Sequence, residues 1–409
     1  MRAVAGRTAL LAIPAAVAVA AMVVGLFVAG AEGRPGISDT GVYRLYGERI
    51  AGGDLPYRDF VVEYPPGALV PFVLPALVSS TPVGYDAAIL ALMVFALAAS
   101  SVLIVLSLEA LRASTGRVAV SVGVFLVGTA LLGPFVLTRF DLYAAAVTLA
   151  AICAILHRRK HLGPALLGVA IATKIYPAVL LPLLVTRTWR RDGRAAALRG
   201  LGLTVGTVLV IYLPFLVVAP EGVVRSVWRQ VGRPLQIESL GSGVLLAFHH
   251  AFGMPLAWAS GAGSQNLTGT VAAVASAVTT LVGLAALALV WTRFARGDTE
   301  SAARFAQYGA AAIVAFVAFG KVASPQFLIW LLAVVVLVPG RRGVGAGGLL
   351  LAACALTRLW FPRTYWDLVK QFDPTASWLV LARDLVLVAV FVVLIVRFRA
   401  RGHEPGESR

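Results

Sequence analysis

The sequence has few charged residues and almost no cysteine. Only 13% of its 409 residues are Asp, Glu, Lys or Arg, against roughly 25% in soluble domains, so there is too little polar surface to cover a water-soluble globule. Apolar residues make up 59%, which excludes a disordered basic tail, because such segments are poor in Leu, Val and Phe. The two cysteines, Cys153 and Cys354, both lie in apolar runs. They form neither a metal-binding CxxC nor a disulfide framework and read as small buried hydrophobes. There is no Walker A loop, GxSxG elbow or HExxH helix, so nucleotide hydrolysis and zinc chemistry have no support. Acids are the rarer sign, 19 against 35 Lys+Arg, for a net charge of +16. That balance invites a nucleic-acid reading, but the cations punctuate apolar stretches instead of gathering on one soluble face, and no nucleic-acid partner is expected.

What is abundant is apolar sequence of membrane-spanning length. A helix crosses a bilayer with about 20 apolar residues because it satisfies its own backbone in lipid. The first such run is 8–29, behind Arg2 and Arg7, and is longer than the h-region of a cleavable signal. Further spans are expected at about 86–111, 118–137, 141–156, 198–219, 270–292, 305–320, 323–340, 344–357 and 377–396. The run 67–79, bracketed by prolines, reads as a dipping or surface segment. The run 162–186 is long enough to cross once, yet a single crossing would bury Lys174 at mid-bilayer, at about 2.5–3.5 kcal/mol or more. It would also split Arg158-Arg159-Lys160 from the cations at 187–199. A hairpin turning at Lys174 avoids both.

With that hairpin, the chain is expected to be an all-α polytopic membrane protein with about 12 transmembrane helices and both termini cytoplasmic. The termini side then carries 21 Lys+Arg and 6 Asp+Glu, the other side 14 and 13, in keeping with the positive-inside rule. Residues 1–396 read as one transmembrane domain, with a first outer loop at 31–66, an outer loop with interfacial helices at 220–269, and a short cytoplasmic tail at 397–409.

The outer face carries the candidate chemistry. The loop 31–66 holds Glu32, Asp39, Glu48, Asp54, Asp59 and Glu63 among Tyr43, Tyr46, Tyr57 and Tyr64. Asp39 stands at the expected N-cap of a short helix, and capping explains it as well as catalysis does. Lone cations form a second set: Arg139 beside Asp141, with which it can simply pair; Lys174 at the hairpin turn; Lys321 before Ser324-Pro325-Gln326; Arg358 and Arg363 in the last outer loop. Snorkelling accounts for any one of them, but their convergence with an acidic loop suits a phosphate headgroup. His249 and His250, adjacent on a helix, point to different faces and make a poor metal pair. Arg225, Arg229 and Arg233, at i, i+4 and i+8, read as a stripe resting on anionic lipid.

In this order, Asp39 and Tyr43, Tyr64-Pro65-Pro66-Gly67, Phe140-Asp141-Leu142-Tyr143, Lys174 with Tyr176 and Pro177, and Lys321 with Ser324-Pro325-Gln326 resemble glycosyltransferase family 87. These are the actinobacterial α-mannosyltransferase-like membrane proteins of the GT-C fold, and the likeness runs from about residue 8 to 340. The resemblance implies inverting, metal-independent transfer of a sugar, mannose in that group, from a polyprenyl-phosphate donor to a glycolipid or lipoglycan acceptor. The setting it implies is the outer face of a bacterial cytoplasmic membrane. It casts Asp39 as general base, with Asp59 and Glu63 in reserve. Lys174, Lys321, Arg139 and Arg358 become the donor-phosphate cations, Tyr43, Tyr64, Tyr176, Gln326 and His249 the substrate pocket, and Trp360 a ring for stacking on sugar. No cofactor or metal is implied. The rivals are a flippase or transporter of polyprenyl-linked glycans, which predicts repeats and mid-bilayer charge, and a ligase or polymerase using a diphosphate-linked lipid.

Overall fold

The computed structural model describes residues 38–396; the expected first span at 8–29, Glu32 and the tail from 397 lie outside them. Among the described residues the chain forms sixteen α-helices and one two-stranded hairpin. Five helices start on a side chain that accepts from a free backbone N–H: Thr81, Ser114, Ser239, Ser301 and Asp373.

Six helices among the described residues are long and apolar enough to cross a membrane: α3 (Pro82–Ala110), α4 (Thr115–Leu132), α8 (Arg194–Val218), α11 (Thr270–Ala295), α14 (Gly340–Trp360) and α16 (Pro374–Ile395). Of the other expected crossings, four fall on shorter apolar helices: α5 (Asp141–Leu156), α6 (Leu162–Thr173), α12 (Ala302–Ala318) and α13 (Leu328–Val335). The returning limb expected within 162–186 falls on a 3-10 turn and a helix, Leu181–Asp192, whose second half is polar and charged. All eight residues of α13 are buried, packed against α4, α5, α12 and α14. A helix this short cannot span lipid alone, so protein on every side supplies the apolar surroundings. By contrast, α8 buries only 6% of its apolar window and presents the rest outward.

The segment at 162–186 does fold back on itself. Lys174 is extended (φ −157°, ψ 139°) directly after α6, Pro177 opens a 3-10 turn over Tyr176–Leu180, and α7 (Leu181–Asp192) returns. The return is complete, because Lys160 Nζ before α6 lies 3.5 Å from Asp192 Oδ1 at the end of α7.

The first loop forms α1 (Thr40–Ala51), and the run after it a 3-10 turn leading into α2 (Val70–Val78). The 220–269 segment contains α9 (Pro220–Val231) and α10 (Leu240–Phe252), as expected, and an unexpected antiparallel hairpin of β1 (Ala257–Gly261) and β2 (Ser264–Thr268). Its two-residue turn puts Ala262 and Gly263 at positive φ, as a type I′ hairpin requires. The strand edge continues onto 235–237: Leu267 N–H donates to Leu235 O (2.9 Å), and Ile237 N–H to Gln265 O (3.0 Å). The purely helical reading is corrected here.

Candidate active site

Two charge pairs organise the site, and neither joins sequence neighbours. Asp39 occupies the N-cap position of α1, but its side chain makes no capping bond. The carboxylate instead forms an ion pair with Arg139 and accepts from Tyr43 Oη at 3.4 Å. Asp39 keeps 30% side-chain exposure, while Arg139 is 6% exposed. One acid oxygen set is thus reachable from solvent, held by a guanidinium that is not.

Asp141, the first residue of α5 and 1% exposed, accepts Lys174 Nζ at 2.6 Å and Trp330 Nε1 at 2.9 Å on the same oxygen. Beyond the local pairing that their adjacency allowed, Arg139 and Asp141 thus each have a long-range partner, Asp39 and Lys174. The Lys174 ammonium sits 4.4 Å from the Phe140 ring centroid and 4.7 Å from that of Trp330, where ring faces add to its stabilisation. Tyr176 stacks on Trp330 at 4.1 Å and shares a 2.7 Å hydrogen bond with Thr148.

The Tyr64-Pro65-Pro66-Gly67 motif has a steric reason. Pro65 is extended and Pro66 starts the 3-10 turn, carrying Gly67 against the end of α6. A Cβ on Gly67 would stand 2.7 Å from Ala172 O and 2.8 Å from Thr173 Oγ1. Only glycine allows that approach, and the residue after Thr173 is Lys174. Tyr43 stacks on Phe72 at 4.3 Å, and Tyr64 meets Phe72 and Phe140 edge-on, giving the charges an aromatic wall.

A second cluster borders this one. Glu238, 2% exposed, lies between α9 and α10, just after the 235–237 stretch that pairs with β2. Gln236 Nε2 donates to Glu238 Oε2 and to Ser324 Oγ (2.9 Å). Arg383, itself paired with Asp384 at 2.7 Å in α16, donates to Glu238 O at 2.6 Å. Burial pushes the Glu238 carboxyl up to about 7, against the pull of Arg383, Gln236 and Arg139. Arg233 leaves the expected stripe: α9 ends at Val231, and Arg233 turns inward while Arg225 and Arg229 stay exposed. Burial lowers the pKa of its guanidinium, opposed by Tyr64, Glu63 and Glu238, and its Nε has no hydrogen-bond partner among the described residues.

The remaining expected site residues are distributed as follows. Lys321 donates to Val231 O (2.9 Å), closing the end of α9, and its own carbonyl accepts from Gln236 N–H. Arg358 packs over Gly133, at the turn leading to Arg139. Gln326 is half-buried on the 3-10 turn Pro325–Phe327. His249 hydrogen-bonds Met254 O (2.7 Å) and packs on Phe372, a helix-end role. Asp59 is exposed and held by Arg58 and the Leu55 N–H, which keep its carboxyl below the usual range. Glu63 faces the β-turn at Gly263. Trp360 is fully buried against Phe361 and Tyr365, so it presents no face to a sugar.

Sequence reasoning missed Glu238 and the Arg383–Asp384 pair. Adjacent opposite charges inside the apolar run LARDLVLV were a visible signal for the pair. Glu238 carried none beyond being a lone acid in an outer loop.

The model of glycosyltransferase family 87 matches residues 60–325, about two thirds of the chain. The match takes in Tyr64–Gly67 of the glycine motif, the Arg139 and Asp141 positions, Lys174, Glu238 and Lys321, while Asp39 precedes it. No curated protein matches the chain.

Proposed function

The chain belongs to glycosyltransferase family 87, and on that footing we propose that this membrane glycosyltransferase moves mannose from a polyprenyl-phosphate donor to a glycolipid or lipoglycan acceptor. The observation that carries the reading is the partly exposed Asp39 carboxylate bound to Arg139, beside the buried Asp141–Lys174 pair.

The donor's headgroup lies at the outer interface of the bacterial cytoplasmic membrane, with its tail between helices. Asp39 accepts the proton of the acceptor hydroxyl as that oxygen attacks the anomeric carbon from the face opposite the phosphate. The bond from the anomeric carbon to the phosphate oxygen breaks with its electron pair staying on phosphate, so configuration inverts and polyprenyl phosphate leaves. Its growing negative charge falls among fixed cations in a water-poor site, where they need no reorganisation. Lys174, Arg139 and Arg233 fill that role, with Lys321 alongside Arg233. No metal enters the scheme. Arg139 has two anionic partners in turn: the Asp39 carboxylate before the donor binds, and the phosphate afterwards. Loosening the first contact raises the basicity of Asp39 when the acceptor arrives. Asp141 never touches substrate in this scheme; it positions Lys174.

Asp39→Asn protein, reconstituted with labelled polyprenyl-phosphate-mannose and glycolipid acceptor, should insert and fold normally. Its transfer should fall about 10²–10⁴-fold, the usual contribution of a general base. Turnover within a few-fold of the parent would remove Asp39 from the role. Comparing the glycolipids of a deletion strain by mass should reveal a product one hexose short.

A further inference from the structure

At the open end of the hairpin whose turn carries Lys174, the residues following α5 meet the end of α7 and the start of α8. They line an open cavity of about 430 Å³. Six cations line it: Arg158, Arg159, Lys160, Arg187, Arg191 and Arg199. Among its lining residues Asp192 is the one carboxylate, and it is already engaged by Arg191 (2.7 Å) and Lys160 (3.5 Å). A second cavity of about 430 Å³ shares Arg158 and Arg187 with the first and adds Arg112 and Glu300.

One of these cations is fixed in advance. Arg187 is 1% exposed, donates to Ser301 O at 2.7 Å, and lies over the Phe305 ring. Arg191 Nη1 is buried with no partner among the described residues. Orienting a membrane protein needs cations near helix ends on one side, but it does not need them to converge on one concavity. Converged, they repel one another until an anion enters. Guanidinium groups match phosphate oxygens two at a time. The same elements carry exposed Leu162, Trp189 and Leu198, an apolar and interfacial set that favours a phosphate attached to acyl chains over a free one.

We propose that this cavity binds the phosphate headgroup of an anionic membrane lipid. The site is separate from the proposed sugar-transfer site and does not depend on it. The probe is the full chain in nanodiscs of phosphatidylcholine doped with phosphatidylglycerol, with retained lipid counted by native mass spectrometry. Reversing two exposed lining charges, Arg159→Glu with Arg199→Glu, should lower phosphatidylglycerol retention about tenfold. The same charge change outside the cavity, Arg190→Glu with Arg194→Glu, should leave retention within about twofold. Equal loss in both pairs would mean diffuse surface attraction, and no loss in either would mean no site; each overturns the proposal. Millimolar inorganic phosphate that strips the retained phosphatidylglycerol and is itself retained in its place would assign the cavity to a soluble anion and overturn the lipid assignment.

Discussion

Replacing Asp141 with Asn isolates one charge at the centre of the site. Asn keeps an oxygen for Trp330 Nε1, so the indole retains a partner, while the Lys174 ammonium loses its counter-charge. The pair is 2.6 Å apart, with side chains 1% and 16% exposed. Coulomb attraction at that distance is about 6 kcal/mol at an effective dielectric of about 20. Desolvation of both groups offsets part of it, so removing one partner from such a buried pair costs about 3–5 kcal/mol. The thermal midpoint in detergent, followed by fluorescence-detected gel filtration, should fall by on the order of 5 °C. Adding Lys174→Met removes the stranded ammonium and should restore most of the midpoint without restoring transfer, because the donor phosphate then lacks its cation. If Asp141→Asn leaves the midpoint unchanged, or if the two substitutions simply add, the two groups are not coupled in a low-dielectric site and the reasoning fails.

Two further outcomes follow from the geometry. Glu238, raised by burial from about 4.5 to about 7, is held preferentially neutral by folding. Its cost is absent below the unfolded value and fully present once pH exceeds about 7, so wild-type stability should decline between about pH 5 and pH 8. Glu238→Gln should flatten that slope in a thermal-shift series, and an unchanged slope would acquit the residue. Gly67→Ala should push the turn at 67 away from the Ala172 carbonyl and Thr173, and so disturb the adjoining Lys174, costing about 1–3 kcal/mol and raising the donor KM more than it lowers kcat; a silent substitution would show the contact to be slack.

The parts of the fold legible in the sequence were those set by solvation along the chain. An ammonium in the middle of an apolar run cannot rest at mid-bilayer, so the Lys174 turn was readable from residues 162–186 alone. Helix α5 was expected at 141–156 and lies there, because a polar Asp at its start and a His-Arg-Arg-Lys run at its end bound an apolar stretch. Pairing was not legible. Arg139 could simply pair with Asp141, two residues away, yet it forms an ion pair with Asp39, a hundred positions earlier, and Asp141 pairs with Lys174, thirty-three positions later. Such choices depend on which helices touch. The β-hairpin escaped notice because its strands, AWASG and SQNLT, are short and largely small or polar, and its edge pairs with residues 235–237, immediately before Glu238. Arg233 misled because a periodic stripe is a pattern of an uninterrupted helix, and α9 stops two residues before it.

The enclosed helix Leu328–Val335 has a bearing on how the enzyme is made. Eight apolar residues are too few to enter a bilayer as a stable independent span, so this segment must be taken in by α4, α5 and α12, made before it, and then covered by α14, synthesised after it. Trp330, which fixes Asp141 and stacks on Tyr176, rides on that helix. The Asp141–Trp330 contact is therefore completed only after the first four fifths of the chain is made, and a chain truncated before it carries every proposed reacting residue up to Lys321 without the indole that holds Asp141.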